Sequence, residues 1–337
     1  MSNGTKGMLE TLRAVLAVPG VSGSEENIAS TIARMIKPYV DEIRSDALGN
    51  LIAVKKGSGG KRVMLSAHMD QIGFVVTDID EEGFLSVSNV GGFGPEAFVG
   101  KIVSFNNGTR GAVYIRPKKD GAERAMYDVY VDLGVSSKAE AEAKVQVGDT
   151  ACVAFQLTDM GDRVCAPTMD DRAACAVLIE LLKAVSSDGA ARDTIIAVFS
   201  SQEEVGLRGA TTAAAAENPD VGIALDVTAT GDTPDVRPKM SVKLGAGPTV
   251  KIMDRASITT PSVREGLIAA AKRAGVPYQR EVLTFGGTDA GAIQRTRGGI
   301  PAGTVSLPCR YVHSPVEMVS LTDMVQAVKL IAEYLKA

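Results

Sequence analysis

The sequence predicts an α/β fold interrupted by an inserted, strand-rich domain. Three observations carry this prediction. Helix and strand signals alternate through residue 72; short strand-like runs and turns replace them from about Gly73 to Gly161; the alternation returns after Asp170. Residues 1–72 and 162–337 are therefore read as one mixed-sheet α/β domain, and 73–161 as a small β-barrel or sandwich set into it. A chain of 337 residues exceeds one ordinary domain. Its 45% apolar and 23% charged residues suffice for a sizeable globular core.

The elements follow in order. Ser22-Gly-Ser-Glu25 has the form of a capping box, and Ile28, Ile32, Met35 and Ile36 then recur at helical spacing until Pro38. Leu48-Gly-Asn-Leu51 turns into a short strand, Leu51 to Val54. Arg62 to Ala67 is a mostly apolar run of buried-strand type that ends at His68. In the insert, Phe74–Thr77, Phe84–Val87, Lys101–Phe105, Gly111–Ile115 and Ala151–Phe155 read as strands, and only Ser137 to Ala143 reads as helix. Glu82-Gly83, Gly91-Gly92 and Asn106-Asn-Gly108 supply turns. Beyond Asp170 come a helix (Ala173 to Val185), strands at Thr194–Phe199 and Val221–Leu225, and an alanine-rich helix around Ala213 to Ala216. A helix from Val263 to Ala274, a strand at Gly303–Leu307 and a final amphipathic helix from Thr322 to Leu335 complete the chain.

Composition excludes several roles. The net charge of −4, from 36 basic and 40 acidic residues, is mild and shows no basic patch, so nucleic acid is not an expected partner. The start of the chain lacks a signal-peptide apolar core, and no apolar run reaches the roughly 18 residues that span a bilayer. Cys152, Cys165, Cys175 and Cys309 have no Cys-x-x-Cys spacing, so buried free thiols in a reducing cytoplasm are expected.

The chemistry-bearing residues fall at the ends of predicted strands, where open α/β sheets bind ligands. His68 follows one such strand, Glu203 and Glu204 another, Asp226 a third, and His313 comes soon after a fourth; Asp170 opens a helix. His68 and His313 are the only histidines in the chain. Imidazoles with carboxylates suit Zn²⁺, Co²⁺ or Mn²⁺. Five ligands serve two ions if one carboxylate bridges, which sets the ions about 3.5–4 Å apart, the separation used by dinuclear hydrolases. Asp70, two residues after His68, is placed to accept its free ring N–H. Glu203 and Glu204 point apart, so one can bind metal while the other faces the attacking water as general base.

Together, Ala67-His-Met-Asp-Gln-Ile-Gly73, Met169-Asp-Asp-Arg-Ala173, Gln202-Glu-Glu-Val-Gly-Leu-Arg-Gly209, Leu225-Asp226, Gly286-Gly-Thr-Asp-Ala-Gly291 and Arg310-Tyr-Val-His-Ser-Pro315 resemble the tetrahedral aminopeptidases. These are self-compartmentalising leucyl, glutamyl and lysyl enzymes, some labelled endoglucanase. The resemblance runs over nearly the whole chain. It implies a zinc-peptidase-like α/β/α catalytic domain, two divalent ions per subunit and short peptide substrates. It implies Asp170 as the bridge, His68 with Asp226 on one ion, Glu204 with His313 on the other, Glu203 as base and Asp70 behind His68. It further implies that Gly287, Thr288 and Arg310 line the substrate site, that the insert dimerises, and that dimers build a tetrahedral dodecamer. Ala174 departs from the glycine that relatives often carry there, which bears only on local packing.

Two other readings compete. A metal-independent glycosidase would need aromatic platforms for sugars, and aromatic residues make up 4% of the chain with no Trp. A metal-stabilised scaffold would close its site with Cys and His rather than a carboxylate-rich set beside a spare Glu.

Overall fold

In the computed structural model, which describes residues 2–118, 122–188 and 192–337, the strand Arg62–His68 shows how the sequence builds layers. Val63, Leu65 and Ala67 enter one apolar core, whereas Met64 enters another on the opposite face. The strand Thr194–Ser200 repeats the pattern, with Ile195, Ala197 and Phe199 on the first face and Ile196 and Val198 on the second. A strand with apolar residues on both faces must be covered on both. Each buried Leu, Ile or Phe contributes roughly 1.5–3 kcal/mol relative to exposure.

In chain order, α1 (Asn3–Leu16) and α2 (Glu26–Ile36) lead to β1 (Glu42–Ser45), β2 (Leu51–Lys55) and β3 (Arg62–His68). Next come β4 (Gly73–Ile79), β5 (Leu85–Val90), β6 (Ile102–Phe105), β7 (Arg110–Ile115), β8 (Val129–Asp132), α3 (Lys138–Glu142) and β9 (Thr150–Val153). The chain returns through β10 (Thr158–Met160), β11 (Arg163–Ala166), α4 (Met169–Asp188), β12 (Thr194–Ser200), α5 (Arg208–Glu217) and β13 (Val221–Ala229). It ends with β14 (Thr249–Met253), α6 (Pro261–Arg273), β15 (Gln279–Val282), α7 (Asp289–Arg295), β16 (Ala302–Cys309), β17 (Glu317–Ser320) and α8 (Leu321–Tyr334).

Eight strands form a mixed sheet in the order β1-β2-β12-β3-β13-β16-β14-β15. The central neighbours β12, β3, β13 and β16 run parallel, so their carboxyl ends share one edge. α1, α2, α4, α6 and α8 cover one face, and α5 and α7 the other. This is the expected three-layer α/β/α arrangement. The insert is a closed six-stranded barrel, β4-β5-β8-β7-β6-β9, as expected for the strand-rich segment. Its core includes Phe74, Leu85, Val103, Phe105 and Val131, and Phe74, Phe93 and Phe98 meet edge to face with centroids 4.7–5.9 Å apart. A third, small sheet, β10-β11-β17, lies beside α4 and the last helix.

Two local readings change. Ser22 and Glu25 do not form a capping box: Ser22 donates to Asp70, and Glu25 accepts from the N–H groups of Gly23 and Gln202. Tertiary partners thus take the side chains that a local cap would use. The helix expected from Ala173 begins earlier, at Met169, across a break where Asp170 (ψ 104°) and Asp171 (φ −121°, ψ 37°) are non-helical. The four cysteines are unpaired; Cys152, Cys175 and Cys309 are buried and Cys165 is half-buried. Among the described residues no helix is long and apolar enough to cross a membrane.

Candidate metal centre

The parallel register sets the site. Ser200 of β12 lies opposite His68 of β3, so the loop carrying Glu203 and Glu204 emerges beside the histidine. β13 brings Asp226 from the other side of β3, the break at the start of α4 aims Asp170 inward, and the β16–β17 loop delivers His313. Residues flanking these groups adopt left-handed backbone without being glycine: Thr168 (φ 68°), Gln202 (φ 54°), Tyr311 (φ 61°) and His313 (φ 60°). Such conformations cost on the order of 1–3 kcal/mol each and persist where surroundings over-determine them.

His68 Nε2 lies 2.9 Å from Asp170 Oδ1 and 4.0 Å from Glu203 Oε2. His313 Nε2 lies 3.3 Å from Asp170 Oδ2 and 3.2 Å from Glu204 Oε2. The two oxygens of Asp170 therefore face different histidines. Each imidazole is held from behind by a carbonyl that can only accept. His68 Nδ1–H donates to the Asp70 carbonyl at 3.2 Å, and His313 Nδ1–H donates to the Gly92 carbonyl at 2.7 Å. Both rings thereby keep their proton on Nδ1 and turn Nε2 into the site, where its lone pair is available to a cation that displaces the second proton.

Asp70 does more than back a histidine. Its Oδ1 is 3.5 Å from His68 Nδ1 and accepts the Glu203 N–H at 3.0 Å; its Oδ2 accepts the Glu204 N–H at 3.2 Å and the Ser22 hydroxyl at 2.7 Å. Asn50 and Gly209 shape the far end of the same loop. The Asn50 side-chain Oδ1 accepts the Ser201 N–H at 2.9 Å, and a Cβ on Gly209 would collide with Asn50 and the Ser201 backbone.

The electrostatics call for cations. Burial, reinforced by the charges of neighbouring carboxylates, drives Glu203 and Asp226 well above the usual range and also raises Glu204. Burial would lower His313, but its contacts with Asp170 and Glu204 push it up to about 12. His68 is likewise carried well above its ordinary value, burial being outweighed by the charge of Glu203 and the contacts with Asp170 and Asp70. Two sets of donor atoms, His68/Asp170/Glu204 and His68/Asp171/Asp226, each lie within 4.8 Å of one another. At that distance two carboxylates repel by about 3–4 kcal/mol at an effective dielectric of about 20. Glu204 Oε1 and Asp171 Oδ2 are buried without a hydrogen-bond partner, a costly state unless a cation completes it. The donor set is all imidazole and carboxylate, which fits Zn²⁺, Co²⁺ or Mn²⁺.

A cavity of about 780 Å³ opens onto the cluster and is lined by all six of His68, Asp170, Glu203, Glu204, Asp226 and His313. Of the three residues expected around substrate, Gly287 lines this cavity. Thr288 is buried beneath it, bonded to Asp254 and Thr304. Arg310 makes a two-pronged pair with Asp232, at 3.1 and 2.7 Å, and so steadies the loop that supplies Thr233, Val236 and Met240 to the cavity wall. Sequence reasoning missed Asp171, Glu317 and the Gly92 carbonyl. Asp171 was visible as the second Asp of Met169-Asp-Asp-Arg; the other two had no signal of their own.

Comparison with known proteins agrees with this geometry. Residues 49–330 match the family model described as M42 glutamyl aminopeptidase. The chain is 48% identical over 327 residues to a provisionally named aminopeptidase of Acetivibrio thermocellus, covering 97% of this chain and 98% of that one. An aminopeptidase of the archaeon Desulfurococcus kamchatkensis superposes with a TM-score of 0.93 at 33% identity, covering 98% of this chain and 95% of its own. The TET1 peptidase of Pyrococcus horikoshii, described as assembling into a tetrahedron or a large octahedral shell, superposes with a TM-score of 0.87 at 34% identity over 97% of this chain and 98% of its own. Fold, clustered donors and full-length similarity lead to one conclusion: the chain belongs to the M42 glutamyl aminopeptidase family and is a metallo-aminopeptidase.

Proposed function

We propose that the protein removes N-terminal residues from short peptides with two divalent cations, held by His68 and Asp226 on one side, Glu204 and His313 on the other, and Asp170 between. The observation that carries this reading is Asp170, whose two oxygens face the two histidines at 2.9 and 3.3 Å. When bound, the cations supply Lewis-acid polarisation of the scissile carbonyl and acidify a water. Zn²⁺ or Co²⁺ suits the donor set best, with Mn²⁺ next.

Glu203 accepts the proton of the attacking water and delivers it to the leaving amine. Its place beside His68, in a loop gripped by Asp70, and its raised proton affinity support that role. Asp70 keeps His68 in its working tautomer through the N–H on Nδ1. Gly287 lines the substrate's path, while Thr288 and Arg310 act from behind the wall.

The barrel, residues 73–161, serves dimerisation; its exposed Ile102 (49%), Tyr114 (56%) and Tyr127 (74%) support this. Dimers then assemble into a tetrahedral dodecamer, in keeping with the tetrahedral shell of the P. horikoshii relative. Four unpaired cysteines support a reducing cytoplasm as the working compartment. The test is a panel of aminoacyl-nitroanilides and free-N-terminus peptides with metal-loaded protein. Release of N-terminal residues is expected, and an inert protein contradicts the reading.

A further inference from the structure

Glu317 stands outside the proposed ligand set yet touches two members of it. Its Oε1 accepts the backbone N–H of His313 at 2.7 Å, and its Oε2 accepts the backbone N–H of Asp170 at 2.9 Å. The side chain is 2% exposed. Glu317 opens β17 and pairs with Ala166 of β11, a few residues ahead of Asp170. One buried carboxylate thus fastens the start of α4 to the β16–β17 loop.

The arrangement mirrors Asp70, which accepts the amides of Glu203 and Glu204. Both segments held by Glu317 need such a fastening. Thr168, Tyr311 and His313 all have φ between 60° and 68°, a region that side-chain-bearing residues rarely enter. Two hydrogen bonds to one buried carboxyl group tie both segments at once, so the surroundings can hold a conformation the local sequence disfavours. Fixing both amides also fixes how far apart the Asp170 carboxylate and the His313 imidazole stand.

We infer that Glu317 is a positioning residue that presets Asp170 and His313 for the cations, through their backbone and without touching cation or substrate. This rests on the two-cation reading above. Gln at this position has the same size but replaces one acceptor oxygen with an NH₂ group, which would face an N–H donor. Asp keeps both acceptors on a stem one methylene shorter.

The test is calorimetric titration of Zn²⁺ and of Co²⁺ into metal-stripped wild type, Glu317→Gln and Glu317→Asp, with thermal unfolding of each protein bare and loaded. Wild type is expected to take two ions per subunit. Glu317→Gln should bind about 10- to 100-fold more weakly, Glu317→Asp should fall between, and the loaded Tm should drop more than the bare Tm. Equal affinities in all three proteins overturn the inference. So does a Tm loss that is the same with and without metal, which marks a purely structural side chain. If Glu317→Gln does not fold, Glu317→Asp carries the comparison under the same criteria. A wild type that binds no divalent ion removes the two-cation reading and this inference together; wild-type binding matched by both variants removes this inference alone.

Discussion

The carboxylate of Asp70 accepts the backbone N–H of Glu203 at 3.0 Å while lying 3.5 Å from the ring of His68. A single buried side chain therefore sets the position of both a histidine and the acid beside it. The proposed base owes its place to the segment that follows the proposed ligand His68.

Glu203→Gln should fold, keep its metal and lose about 10²- to 10⁴-fold in kcat, because the isosteric amide cannot take a proton from water. Metal content by elemental analysis and kcat on one peptide check this together. A loss of only a few-fold would remove Glu203 from proton transfer.

Asp70→Asn turns one of two accepting oxygens into a donor, against either the Glu203 or the Glu204 amide. Metal affinity is expected to fall about 10- to 100-fold, with turnover falling at fixed metal concentration and partly returning at excess metal. Unchanged affinity would make the hydrogen bonds to this carboxylate incidental.

Glu25 gives a pH dependence of defined sign. Burial chiefly raises its carboxyl from 4.5 to about 7, against the hydrogen bond from Gly23. The folded protein then holds this proton more tightly than the unfolded chain does. The contribution is fully present below about pH 4.5 and is lost as pH rises through about 7. Glu25→Gln, neutral throughout, should gain stability relative to wild type between about pH 5 and about pH 8. Urea midpoints across that range decide the matter, and parallel curves would count against a raised Glu25.

The cavity over the centre carries Arg237 and Arg255, and among the described residues its only acids are the four of the centre, Asp170, Glu203, Glu204 and Asp226. Peptides beginning with Lys should therefore show a kcat/KM lower than those beginning with Leu by about tenfold or more, equivalent to about 1.4 kcal/mol. Arg255→Glu should narrow the gap. Equal rates for Lys and Leu peptides would mean that neither arginine faces the side chain of the first residue.

Much of this was legible in the chain. The apolar run Arg62–Ala67 ending at His68, and the shift to closely spaced strands after Gly73, foretold the sheet and the barrel. Five of the six cavity-lining donors follow from strand-end placement, because parallel strands bring their carboxyl ends to one edge whatever their sequence separation, and the sixth, Asp170, from its place at the opening of a helix. Short strands escaped notice. β1 is mostly exposed, β10 fully so, and β17 has only four residues, so none carries a period long enough to read. Glu317 and Asp70's grip on two amides lay out of reach for another reason: an acceptor for backbone N–H groups leaves no trace in the sequence that it serves. Ser22 and Glu25 misled because a cap and a tertiary tether use the same residue types.

Metal-stripped protein titrated with Zn²⁺, Co²⁺ and Mn²⁺, with peptide release and bound ions counted at each step, tests the dinuclear reading most directly. Activity should be absent without metal and reach its plateau at two ions per subunit. Full activity in the stripped protein, or a plateau at one ion, would contradict it.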